Sequence, residues 1–122
     1  MILVDTSVWV GHLREGDVRL AAALERADVW THPWVIGELA CGRFSDRAAV
    51  LGLLRALPTA QVASFDEALA LIERQSLMGL GIGYVDVQLL ASALLAGTRL
   101  WTLDERLAAV AAEVGVAGEP VG

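Results

Sequence analysis

Short unbroken apolar runs alternate along this chain with longer segments whose apolar positions return at helical spacing. The first run, "MILVD", reads as a strand, and "TSVWVGHLRE" after it puts Val8 and Leu13 on neighbouring turns of a helix. "VRLAAALERA", Val18 to Ala27, continues as a second helix and "VWTH", Val29 to His32, as a second strand. "PWVIGELACGR" opens on Pro33, favoured at the first helical position because its fixed φ suits the turn and its missing N–H would find no partner there. "DRAAVLGLLRAL" runs as helix up to Pro58, and a weak strand follows near "AQVAS". Ser64 and Glu67 form a capping-box pattern at the head of "DEALALIERQSLM". "GLGIG" reads as a loop, "GYVDVQLLASALLAG" as a buried helix, "RLWTL" as a strand, "DERLAAVAAEVG" as the last full helix and "VAGEPVG" as one more short strand. Strands alternating with helices predict an α/β fold around a parallel sheet. No repeat, linker or low-complexity segment interrupts residues 1–122, so one domain is expected.

Composition narrows the classes. Hydrophobic residues make up 56% of the chain, enough for a core plus an apolar patch meant for a partner. The best membrane window, Leu77 to Thr98, contains Asp86 and Gln88 and opens on glycines, whereas a span wants about 20 predominantly apolar residues. No membrane association is expected. The apolar start has no basic segment before it, so no signal peptide is expected and the cytoplasm is the expected location. Cys41 is the only cysteine, and His12 and His32 lack ligand spacing, which removes an intrachain disulfide and a zinc centre. All nine basic residues are arginine. That excludes lysine-dependent chemistry, including a phosphoacceptor receiver domain, which the length and alternation otherwise permit. Gly79, Gly81 and Gly83 follow a helix and not a strand, so they lack the context of a dinucleotide fingerprint. A noncatalytic α/β interaction domain, or a receiver-like signalling domain without the lysine that phosphoacceptor chemistry needs, stays open as the alternative reading.

Carboxylates stand where burial is expected. Asp86 lies among Val85, Val87, Leu89 and Leu90, yet an unpaired buried carboxylate costs several kcal/mol. In an open parallel sheet the carboxyl ends of the strands share one edge, where ligands bind. Asp5 ends the first strand and Asp104 ends "RLWTL"; Glu38 sits on the helix after the second strand beside Trp34, Val35, Cys41 and Gly42. Asp86, in the first turn of its own helix, faces the same edge if that helix runs antiparallel to the strands. Singly, each acid has a plainer role: Asp5 and Asp104 as helix N-caps, Glu38 in solvent, Asp86 stabilised by its helix dipole. Jointly, they would repel by about 3 kcal/mol per pair at roughly 6 Å and an effective dielectric of ~20. Such a cluster needs protons or cations, and Mg²⁺ or Mn²⁺ suits an all-carboxylate set because hard ions take oxygen ligands.

"ILVDTSVWV", "GELACGR", "GYVDVQLLASALLAG" and "LWTLDERL", in that order and over almost the whole chain, resemble the four acidic motifs of PIN-domain ribonucleases. The similarity is greatest to the small VapC-type toxins of bacterial toxin–antitoxin pairs. That resemblance implies a three-layer sandwich with a short parallel sheet of about four to five strands flanked by helices. It implies that Asp5, Glu38, Asp86 and Asp104 are catalytic and that Asp5, Asp86 and Asp104 hold Mg²⁺ or Mn²⁺. Thr6 or Ser7 and Thr102 match its supporting hydroxyls. RNA cut by activated water would leave 5′-phosphate and 3′-hydroxyl ends, with Glu38 orienting or deprotonating the water. A VapB-type antitoxin would cover the site, and a homodimer is expected.

The net charge of −6 opposes nonspecific RNA binding, which is dominated by phosphate contacts. The excess lies after Gln61, where three arginines face eight acids, against six and seven before it. RNA is therefore expected along the first half, near Arg14, Arg19, Arg43 or Arg47. Trp9 and Trp34 are candidates for stacking bases, although tryptophan at helical spacing is more often core.

Overall fold

Strands β1 (Ile2–Val4), β2 (Val29–Trp30) and β3 (Arg99–Trp101) form a parallel sheet in the order β2-β1-β3. The computed structural model describes residues 1–120; Val121 and Gly122, the end of the last expected strand, lie outside the described residues. Leu3 stands opposite Trp30 on one side and Leu100 on the other, and Val4 opposite Trp101. Ile2, Leu3 and Val4 are all buried, as an unbroken apolar strand must be when helices cover both faces. Isolated parallel bridges add one position at each edge, Thr31 with Thr59 and Leu100 with Ala117. The expected strand near "AQVAS" shrinks to the first of these: Pro58 has no N–H to donate, and only its carbonyl, which accepts Thr31 N–H, and the Ala60 N–H, which reaches Thr31 O, engage β2. The strand expected from "VAGEPVG" shrinks likewise to Ala117. Among the described residues, the expected four to five strands thus appear as three strands with a single bridge at either edge.

Helices carry the rest: α1 (Thr6–Glu15), α2 (Val18–Glu25), α3 (Pro33–Ala40), α4 (Arg47–Ala56), α5 (Phe65–Gln75), α6 (Tyr84–Ala96) and α7 (Glu105–Glu113). The second helix stops at Glu25, two residues early, because Arg26 caps it and Ala27 turns to φ 54°. Both halves of the Ser64–Glu67 capping box form at the head of α5. Helix α6 buries an uninterrupted run from Val87 to Ala93 and packs against β3 and α5, while α3 lies between α1 and α4. Leu3, Val4, Val8, Leu89, Leu90 and Trp101 belong to one core cluster. Among the described residues no helix is long and apolar enough to cross a membrane.

Position follows from strand order. The chain leaves β1 for β2 on one side and later arrives at β3 on the other. The carboxyl end of β1 is therefore where the connections reverse direction, the place where an open α/β sheet leaves a crevice. Asp5 is the residue at that point.

Candidate functional site

Asp5 is 5% exposed and caps α1. Its Oδ2 accepts hydrogen bonds from the Ser7 N–H at 3.3 Å, the Ser7 hydroxyl at 2.6 Å and the Thr102 hydroxyl at 2.7 Å. Each hydroxyl is used twice. Ser7 Oγ also accepts the Leu103 N–H at 3.0 Å, and Thr102 Oγ1 accepts the Asp104 N–H at 3.0 Å. Both hydroxyl protons thus point at Asp5, and both lone-pair sides hold the turn between β3 and α7. That turn ends in Asp104, whose Oδ1 accepts the Leu107 N–H at 2.9 Å as the N-cap of α7.

Glu38 comes from α3 and reaches the start of α1, where its Oε1 accepts the Thr6 hydroxyl at 2.6 Å. Asp86, the third residue of α6, folds back so that Oδ2 accepts the Gly83 N–H at 3.0 Å. Among the described residues, hydrogen bonds to each acid fall on a single oxygen: Oδ2 of Asp5, Oε1 of Glu38, Oδ2 of Asp86 and Oδ1 of Asp104. The other oxygen of each is left to a different ligand. Capping and ligation are consequently compatible, and the plainer roles of Asp5 and Asp104 hold alongside any other.

Electrostatics brings the four together. The Asp86 carboxyl is held above the usual carboxylate range, first by burial and then by the negative charges of Asp5, Asp104 and Glu38, with the Gly83 N–H pulling the other way. The charges acting on Asp86 are all negative. No three acids, histidines or cysteines among the described residues stand ready-made around one point that could hold a cation. The donor set nonetheless fits a hard divalent cation in kind: carboxylate oxygens, one of each pair without a hydrogen bond, with repulsion that such an ion would offset.

Other sequence candidates separate. Trp9 is buried at 4% exposure and cannot stack a base, while Trp34 is 42% exposed. Arg19 pairs with Glu119 at 2.8 Å and lies over the Trp101 ring, and Arg47 donates to the carbonyls of Ala40 and Gly42. Arg14 and Arg43 line a cavity with Glu38, Val10, Leu13 and Phe44. His32 is the residue that spacing rules passed over. It is fully buried, and its Nδ1 accepts the Trp34 N–H at 3.1 Å, capping the helix that carries Glu38. Nε2 must then carry the proton and donate to Ser92 Oγ at 2.9 Å. Burial pushes the imidazole down to about 4. The available signal was position, since His32 directly precedes a helix-opening proline.

The PIN domain family model matches residues 2–113. Ribonuclease VapC32, from each of two Mycobacterium tuberculosis strains, is 52% identical over 118 residues, covering 96% of this chain and 95% of the relative.

Proposed function

The chain belongs to the PIN-domain family, on the side of the VapC-type ribonucleases, and from that premise we propose that residues 1–122 form one nuclease domain, a divalent-metal-dependent endoribonuclease that serves as the toxin of a toxin–antitoxin pair. The observation that carries the reading is the hydrogen-bond network that ties Asp5, through Ser7 and Thr102, to the turn ending in Asp104 at the switch point of the sheet, with Asp86 under the negative charge of Asp5, Asp104 and Glu38. Asp5, Asp86 and Asp104 would hold Mg²⁺ or Mn²⁺ through their unbonded oxygens. Such an ion lowers the pKa of a bound water and offsets charge on the phosphoryl group. Glu38, kept in place by Thr6, orients the attacking water and takes its proton. Ser7 and Thr102 orient the Asp5 carboxylate, and Thr102 fixes the Asp104 turn against it.

Partners follow from the same surface. The cavity lined by Val10, Leu13, Leu39 and Phe44 ends at Glu38, which suits an amphipathic inhibitor helix of VapB type that reaches a cationic side chain into the acids. A second apolar hollow between α5 and α6, with Leu71, Ala91, Leu94 and Leu95, suits a homodimer contact. Incubation of the purified chain with RNA and Mn²⁺, followed by sequencing of the cut ends, tests the activity. Cleavage leaving 5′-phosphate and 3′-hydroxyl ends, abolished by EDTA, is the expected result. Ends bearing a 2′,3′-cyclic phosphate would overturn the mechanism.

A further inference from the structure

One side of Glu38 is basic and the other is aromatic. The cavity that holds Arg14 and Arg43 meets, at Glu38, a second cavity of about 340 Å³ lined by Pro33, Trp34, Gly37 and Cys41. Neither arginine takes an ion pair among the described residues. Trp34 and Glu38 are four apart on α3 and so share a face, with about 5–6 Å between Cβ atoms.

The aromatic wall continues beyond Trp34. Tyr84 meets it nearly perpendicular, at 78° with centroids 6.0 Å apart, and Phe65 lies 6.1 Å from Tyr84. Trp34, Tyr84 and Phe65 are all exposed, at 42%, 36% and 63%. An edge-to-face contact covers at most one face of one ring, so a broad π surface stays open. Two hydrogen bonds anchor its residues. Gln88 Nε2 donates to the Tyr84 hydroxyl at 2.8 Å, and His32 holds the Trp34 backbone. Gly37 completes the hollow: a Cβ built there meets nothing within 4 Å. Space is open beside the turn that joins Trp34 to Glu38.

We propose that Trp34, walled by Tyr84 and floored by Gly37, is a stacking subsite for one unpaired base of a single-stranded RNA whose neighbouring phosphate lies at the acids. The proposal rests on the ribonuclease reading and deepens it by assigning one base of the substrate a subsite at Trp34. An exposed ring beside a reaction centre suits a base, because every base has a π face and stacking needs no particular hydrogen-bond pattern. The free arginines across Glu38 complement the backbone on the opposite side. A strand laid over α3 would meet cations, then the acids, then the ring. Single-stranded loops and ends present such bases; paired RNA does not.

The test uses the full chain and short single-stranded RNAs that it cuts, each with one base replaced by an abasic residue. Binding is measured in Mg²⁺ with the Asp5→Asn variant, and cleavage with the parent. One abasic position flanking the cut should weaken binding by about tenfold, the size of one stacked base. Adding Trp34→Ala should weaken the intact RNA about as much and abolish the effect of that abasic position; Trp34→Phe should restore most of it. Gly37→Leu leaves the ring in place and fills the hollow, and it should flatten the scan while preserving the helical circular dichroism. An abasic scan that is flat in the parent background, or one unchanged by both Trp34→Ala and Gly37→Leu, would overturn the subsite. So would conversion of a dimer to monomers with the scan unchanged, which would make the rings a protein interface. Failure of the parent to cut any RNA speaks against the ribonuclease reading, whereas cutting with an unchanged scan removes only the subsite.

Discussion

Asp86 concentrates the charge problem of the site in one side chain. Burial and three carboxylates raise its pKa in the folded chain, so the folded state holds this proton more readily than the unfolded state. The stability it contributes is present below the ordinary carboxylate pKa and is lost as pH rises through the folded value. Asp86→Asn keeps an oxygen for the Gly83 N–H and removes the repulsion. In EDTA it should melt a few degrees above the parent at neutral pH, with the difference closing below about pH 4, while cleavage in Mn²⁺ disappears. An unchanged melting temperature across that range would mean the acids are too well solvated to repel. His32 runs the other way. Its folded pKa of about 4 lies below the ordinary imidazole value of 6.5, so stability is full above that value and falls as pH drops towards 4. His32→Asn retains an N-cap acceptor and loses the Ser92 contact. It should be about 1–2 kcal/mol less stable at pH 7, with a flatter dependence between pH 6.5 and 4 when thermal melts are compared.

At the scale of elements, two caps of similar chemistry do different work. Ser64 caps α5 through Glu67 and touches only its own helix. Thr102 ties the carboxyl end of β3 to Asp5 at the end of β1 and accepts the Asp104 N–H at the head of α7. Ser64→Ala should cost about 1 kcal/mol with cleavage unchanged. Thr102→Val should cost about 1–2 kcal/mol, since it strands a donor and an acceptor, and should lower cleavage at least tenfold because Asp104 loses its anchor. Denaturant unfolding with parallel rate measurements separates the two. Equal activity in both variants would make Thr102 a cap like any other. The Ser64 box is legible in sequence because its partners are three residues apart. The Thr102 tie is not, because its partner lies 97 positions away.

For the whole molecule, the acids and the fold are coupled through any cation they hold. A ligand that binds only the folded chain adds about 2.7 kcal/mol at a hundred times its Kd. Saturating Mn²⁺ should therefore raise the melting temperature by several degrees, EDTA should reverse the shift, and Asp5→Asn should abolish it. A shift that persists in Asp5→Asn would place the ion elsewhere.

What the sequence determined by itself is what is written within one or two turns of chain. Helical spacing, Pro33 at a helix start, the Ser64 box, the buried run of α6 and the order of the acidic motifs all survive folding with boundaries moved by a few residues. Each rests on contacts between residues close in sequence. Tertiary structure decided the rest. Strand order put Asp5 between β2 and β3, carried Thr6 to Glu38 across 32 positions, and buried Trp9 while leaving Trp34 open. It also made Asp5 and Asp104 caps and members of an acidic site at once, because a carboxylate has two oxygens and a cap uses one. No local pattern distinguishes those roles, since the second oxygen's surroundings come from elements far along the chain.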